Sequence, residues 1–390
     1  MATSGGWDLL GATTAAFFVT MVARLAPSPL VPDVIAALGV STGTVGLALT
    51  GMWAAYALFQ FPGGIVTDRY GSRRVILFAM GSIAVTSVGL AVSPGIGGFA
   101  LAAVTLGASA GLYFTAGTSL LTRRFENTGR ALGVHEVGAS AAGLLAPVAS
   151  TAVATRLGWR AGLLVPAAIA PVVLVAFAWR VPRSSPSPDA DATGVIGLGQ
   201  LFAMLRRPAV AFTTLLAMVA FFTWQSFASF FPTFLVEFVG LSTGRASLVF
   251  GAIFALTLGV APALGWVSDA TGRDPALVVS LLAGAVGYLT FLFGGDGVLT
   301  VGVGAVLVGV GISWPGVLNS RFMDHLEADE RGTGFGLVRT AVLLVSSLGS
   351  VVTGTLAGRV GWLAAYGLVA GLLAALVVLV AGTRTLGVDV

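Results

Sequence analysis

Apolar residues run along this chain in long unbroken stretches, with neither the alternation of a half-buried strand nor the single stripe of a surface helix. Between polar punctuation twelve such stretches stand out, near 8–31, 43–66, 74–93, 97–122, 129–154, 159–180, 208–236, 244–268, 275–294, 298–321, 332–356 and 361–382. Each is close to the roughly 20 residues a helix needs to cross a bilayer. Without period-two alternation they predict membrane helices and not barrel strands. The centre of the chain reads differently. Residues 182–191 are rich in Pro, Ser and Asp, a linker composition, and 195–205 is amphipathic, as a short interfacial helix would be. The expected organisation is a six-helix bundle over 1–180, a cytoplasmic linker with a short interfacial helix over 181–207, and a second six-helix bundle over 208–390. The apolar run 7–24 has no basic segment before it, so no cleavable signal peptide is expected.

Composition agrees with the pattern. Hydrophobic residues make up 56% of the 390, and charged ones only 9%, where a soluble domain carries roughly 25%. So few charges cannot coat a water-facing surface, which excludes a soluble enzyme. Glycine, at 54 positions, lets apolar helices approach closely where lipid offers no hydrophobic drive. The absence of cysteine excludes disulfides, thiolate metal sites and a catalytic thiol. All 20 basic residues are arginine, and they sort by loop. One face of the membrane holds fourteen: Arg69, Arg73, Arg74, Arg123, Arg124, Arg130, Arg180, Arg183, Arg206, Arg207, Arg273, Arg321, Arg331 and Arg384. The other holds four, Arg156, Arg160, Arg245 and Arg359, while Arg24 and Arg339 fall inside spans. The positive-inside rule then puts both termini in the cytoplasm of a multi-pass plasma-membrane protein. Basic charge here reports orientation, and no nucleic-acid partner is expected.

The chain also repeats itself. Ser41-Thr42-Gly43 recurs as Ser242-Thr243-Gly244, and the run 64–71 recurs at 265–272, both at a shift of 201. Arg156-Leu157-Gly158-Trp159 recurs as Arg359-Val360-Gly361-Trp362, at a shift of 203. Between spans 2 and 3 lie Gly64, Asp68, Arg69, Gly71, Arg73 and Arg74, and between spans 8 and 9 a weaker copy, Gly265, Asp269, Gly272 and Arg273. This loop resembles the signature loop of the major facilitator superfamily, and the resemblance extends over the whole chain. It implies an all-α integral membrane protein, twelve transmembrane helices in two pseudo-symmetric six-helix bundles, working by alternating access. It also implies that the signature loops latch the cytoplasmic side of the bundles. In the second copy Asp274-Pro275 stands in place of an Arg pair, so its latch is expected to be weaker or to use Arg273 alone. Two family patterns are missing: Ala103 stands where many proton-coupled members carry an Arg in span 4, and span 5 has Ala146-Pro147 in place of a Gly-Pro pair.

Charges at membrane depth are costly and mark functional candidates. Arg24 lies deep in span 1 with no acid at i±3 or i±4, and its repeat counterpart is Gln225 in span 7. The family places both spans at the central cavity, where a guanidinium facing an amide suits a carboxylate held bidentately. The alternative is a structural arginine that snorkels or bonds carbonyls. Glu136, beside His135, and Arg339 are repeat equivalents about two turns into spans 5 and 11. The first two are candidates for proton coupling and Arg339 for a second anion contact, against an interhelical ion pair. Tyr56, Tyr113, Trp224 and Trp314 are candidate aromatic contacts for substrate, against ordinary helix packing. The acidic run 324–330 reads as a loop pairing with arginines, and no metal or cofactor site is expected. The leading expectation is a monomeric secondary active transporter of a small organic anion, with protons as a coupling partner. An efflux carrier for hydrophobic compounds, or a non-transporting sensor or scaffold of the same fold, remains open.

Overall fold

The structure is a computed structural model that describes residues 4–182, 198–327, 330 and 333–385. Among these residues it is all helix, with no strand, in two compact units, Met1–Gly194 and Val195–Val390. The first holds α1 (Ser4–Leu25), α2 (Val31–Leu38), α3 (Thr42–Leu58), α4 (Gln60–Tyr70), α5 (Ser72–Val92), α6 (Ile96–Arg124), α7 (Thr128–Leu157), α8 (Trp159–Leu163) and α9 (Val165–Arg180). The second holds α10 (Leu198–Leu205), α11 (Pro208–Glu237), α12 (Thr243–Thr271), α13 (Arg273–Phe293), α14 (Val298–Gly311), α15 (Pro315–His325), α16 (Thr333–Ser346), α17 (Leu348–Arg359) and α18 (Trp362–Thr385). Eleven helical stretches are long and apolar enough to span a bilayer, and α3 with α4 makes a twelfth, bent by 44°. The expected all-α twelve-span architecture is what is found. Residues 183–197 of the expected linker lie outside the described residues, and α10 occupies the expected interfacial segment.

The spans are less straight than the apolar runs suggest, and the breaks have local causes. Proline lacks an N–H and its ring clashes with the carbonyl four residues back. Pro62 therefore ends α3 at Leu58, and Pro315 ends α14 at Gly311. Span 1, expected to stop near residue 31, continues through a 3-10 turn at Ser28–Leu30 into α2, a proline-dense stretch (Pro27, Pro29, Pro32) that permits a turn but not a continuous helix. The break between α16 and α17 has no proline. There the Ser346 hydroxyl donates to the Val342 carbonyl at 2.6 Å and that of Ser347 to Leu344 at 2.6 Å; such back-bonding bends helices.

The repeat acquires a structural meaning. Ser41 and Ser242 cap α3 and α12, accepting from the amides of Thr44 and Arg245. Three pairs of glycines share positive φ at the repeat shifts: Gly39 with Gly240, Gly71 with Gly272, and Gly158 with Gly361. Only glycine takes this backbone without strain, so the duplicated motifs are helix punctuation as well as loop chemistry. Small residues also set helix contacts. A Cβ on Gly111 would lie 2.6 Å from the Tyr56 carbonyl, one on Gly107 would overlap that of Met52, and one on Gly138 would lie 2.6 Å from that of Thr14. These glycines seat α6 on α3 and α7 on α1.

Candidate functional site

In the first unit the apolar interior is organised around one arginine. Arg24, in the last turn of α1 before the 3-10 break, is 4% exposed. Its Nε donates to the Thr20 carbonyl at 3.3 Å and its Nη2 meets the Met21 sulfur at 2.6 Å. The guanidinium carbon lies 4.2 Å from the ring centre of Tyr56 and 5.3 Å from that of Trp53. Those rings, three residues apart on α3, share a face and meet edge-on at 6.3 Å. Inserting a cation at the centre of a membrane helix costs about 2.5–3.5 kcal/mol on translocon scales. A desolvated cation–π contact returns up to about 2 kcal/mol. Two such faces offset most of that cost while leaving the charge in place.

The aromatic path continues from Tyr56 to Phe114 at 6.1 Å and from Phe114 to Phe17 at 6.0 Å. Phe17 lies two helical turns from Arg24 along α1 and stacks on His135 at 4.2 Å, nearly parallel. The Tyr113 hydroxyl donates to the Thr13 carbonyl at 2.5 Å and lies 3.1 Å from His135 Nε2. Its one proton is used at Thr13, so the tyrosine oxygen accepts from Nε2–H. His135 Nε2 thus carries a proton, and Nδ1 is buried without a hydrogen-bond partner among the described residues. Arg24, Tyr56, Tyr113 and His135 therefore fall on one network across α1, α3, α6 and α7. Tyr113 is fully buried with its hydroxyl engaged, which makes it a strut between helices. Glu136, expected at depth beside His135, is exposed on α7. The neighbours thus occupy different environments.

In the second unit Gln225 is 2% exposed on α11, and its Oε1 has no hydrogen-bond partner among the described residues. Trp224 is half-buried, and Arg339 is half-buried on α16. Trp314, buried at the α14–α15 break, packs edge-on to Phe221 at 4.8 Å. Behind Gln225 a hydroxyl seam joins α11 to α17. Ser229 meets Ser350 at 2.7 Å, the Thr353 hydroxyl donates to Ser226 Oγ at 2.8 Å, and a Cβ on Gly349 would overlap the Phe222 carbonyl.

The signature loops are each tied to their own unit by ion pairs. Asp68 accepts from Arg123, at the end of α6, at 2.5 Å. Arg73 caps α9 through the carbonyls of Val181 at 2.8 Å and Ala178 at 2.7 Å. Arg69 lies over Tyr70, and Arg74 is exposed. In the second copy Arg273 pairs with Asp269 at 2.5 Å and with Asp324, on α15, at 2.9 Å. Asp274 also pairs with buried Arg321. At the 201 shift Arg123 corresponds to Asp324 and Arg73 to Asp274. These two positions change sign while Asp68 keeps its acid as Asp269, so the second copy uses cations of its own, Arg273 and Arg321, and holds more than Arg273 alone. Sequence reading missed Arg123 and Arg321 as partners, because the repeat sets an acid, Asp324, opposite the first and Leu120 opposite the second. Close by, Arg207 binds Glu330 at 2.6 Å. That hydrogen bond, and a second from the Glu327 amide, hold the Glu330 carboxyl below the usual glutamate range.

The profile of the Major Facilitator Superfamily matches residues 13–341. The chain is 23% identical to a hexuronate transporter of Bacillus subtilis over 381 residues, covering 90% of this chain and 88% of that one. It is 29% identical over 198 residues to an uncharacterized MFS-type transporter, Rv1250, of Mycobacterium tuberculosis, covering 50% of this chain. It is 28% identical over 176 residues to the membrane sensor protein UhpC of Escherichia coli, covering 44% of this chain. The chain spans only 34% of the mycobacterial relative's length and 38% of the sensor's. Among solved structures, a POT family transporter in complex with a thioalcohol-conjugated peptide superposes with a TM-score of 0.80 at 13% identity, covering 97% of this chain and 96% of that one. The nucleoside transporter NupG superposes with a TM-score of 0.79 at 14% identity, covering 98% and 99%. At such identities the likeness establishes the fold alone.

Proposed function

The chain belongs to the major facilitator superfamily, and from that premise we propose that it is a secondary active transporter carrying a small organic anion by alternating access. The observation that carries this reading is Arg24, a permanent cation buried against the faces of Tyr56 and Trp53. Aromatic faces stabilise a guanidinium without removing its charge, and a carboxylate is the ligand whose charge and geometry match it. In the second unit the orphaned Gln225 oxygen is a candidate acceptor for a polar donor. The hexuronate transporter, alike over most of both chains, is named for a carboxylate-bearing sugar. In the second unit Arg339 is a candidate anion contact, and Trp224 and Trp314 are candidate aromatic contacts for substrate. Protons couple transport through Glu136, exposed on the helix that also carries buried His135.

A ligand that binds the folded state raises its thermal stability by mass action. Purified protein should be stabilised by members of a carboxylate panel that includes hexuronates, and not by lipophilic cations. Stabilisation by lipophilic cations alone would point instead to an efflux carrier. Stabilisation by neither group would remove the anion reading.

A further inference from the structure

We propose that the first unit carries a second site, separate from Arg24, for the headgroup of an anionic phospholipid. Where α1 begins and α6 meets α7 there is a cavity of about 510 Å³, with Trp7, Leu10, Phe125, Arg124 and Arg130 in its wall. Leu10 joins Leu121 and Ala131 in a buried apolar cluster that Phe125 and Val134 extend, so the floor of the cavity is dry. Its rim is cationic. Arg123 next door is bound to Asp68, but neither Arg124 nor Arg130 has an ion pair among the described residues, and both are exposed. Arg130 lies over the Trp7 ring at 5.9 Å. The one acid of the wall, Glu126, pairs with neither arginine, which leaves the rim net positive. The start of α7 adds the positive end of a 30-residue helix dipole.

Two guanidinium groups above an apolar floor fit a phosphodiester whose acyl chains turn away into lipid. Location argues for a lipid over a soluble phosphate. Trp7 is 53% exposed at the entry of the first span, the depth at which tryptophan partitions to the membrane boundary. Leu10 is fourteen residues before Arg24, roughly 21 Å along a helix, so the cavity is not the inner wall of the Arg24 site.

The test is thermal unfolding of the full chain in a neutral detergent, titrated with phosphatidylglycerol, phosphatidylcholine or inorganic phosphate. Phosphatidylglycerol should raise the midpoint and phosphatidylcholine should not. In Arg124→Gln/Arg130→Gln the same rise should need about tenfold more phosphatidylglycerol, the loss of roughly one charge-assisted contact. Arg180→Gln/Arg206→Gln removes as much charge from exposed positions outside the cavity and should titrate as the parent does. An equal loss in both double variants would mean diffuse attraction and overturn the proposal. So would a parent that does not respond, or one that inorganic phosphate stabilises at the same concentration. If the cavity double variant does not fold, Arg130→Gln alone is titrated, and an unchanged response would overturn the site equally.

Discussion

Arg24 sets the chemistry at the scale of single residues. A lysine there would keep the charge but lose the planar fork and much of the aromatic stacking, so Arg24→Lys should bind the anion more weakly than the parent. Arg24→Gln should abolish binding in equilibrium titrations while remaining folded. Tyr113 has the opposite profile. Its hydroxyl joins the Thr13 carbonyl to His135 Nε2 inside a fully buried contact, and removing it orphans the imidazole N–H. A buried group left unpaired costs about 1–3 kcal/mol, so Tyr113→Phe should lower the thermal midpoint with little change in substrate affinity. A Tyr113→Phe protein of parental stability with weakened substrate binding would move Tyr113 from the scaffold to the site. What the sequence showed of this network was a cation within span 1 and, separately, the aromatic and histidine candidates of other spans. It did not show which rings cover the cation, because no spacing rule on one helix links α1 to α3.

At the scale of elements the signature loops are the informative parts. The Asp68–Arg123 pair has 24% and 48% side-chain exposure, and pairs this exposed contribute about 0–1 kcal/mol. Asp68→Asn should therefore fold, and its effect should appear in transport rate. Reversing the pair is a sharper test: Asp68→Arg with Arg123→Asp should recover rate that either single change loses. Failure of the double variant to exceed the singles would deny the pair its role. Gly107 has no such tolerance, since any Cβ there meets the Met52 carbonyl; Gly107→Val should yield little folded protein. Acid should act at Glu330. Its folded-state pKa is depressed by Arg207, so the stabilisation is complete above the usual glutamate value and is lost as pH falls through the lowered one. Arg207→Gln should remove that acid-dependent part of the unfolding profile. Elements were legible to different degrees. The twelve spans follow from apolar length; the breaks after Leu58 and Gly311 lie four residues before Pro62 and Pro315, but Pro147, Pro171, Pro232 and Pro262 sit inside unbroken helices, so proline alone does not mark them. The break at Ser347 is not legible either, because it depends on hydroxyls turning back onto their own helix, which sequence alone does not distinguish from hydroxyls facing a neighbour.

For the whole molecule, duplication explains both the economy of the fold and its asymmetry. The two units share capping serines and left-handed glycines. They differ in polar side chains within the spans, with Arg24 in one unit and Gln225 in the other, Glu136 in one and Arg339 in the other. Arginine placement makes the orientation testable. Protease added outside intact cells should not cut within 181–207, and cutting there would reverse the topology. The central claim is that Arg24 holds a transported anion, and the direct measurement is uptake of a labelled hexuronate, with other carboxylates as competitors, into sealed vesicles containing the purified protein. The parent protein should show saturable uptake that competing carboxylates inhibit, and folded Arg24→Gln should fall by about tenfold or more, the loss of one charge-assisted contact. Uptake by Arg24→Gln at the parental rate would contradict the account.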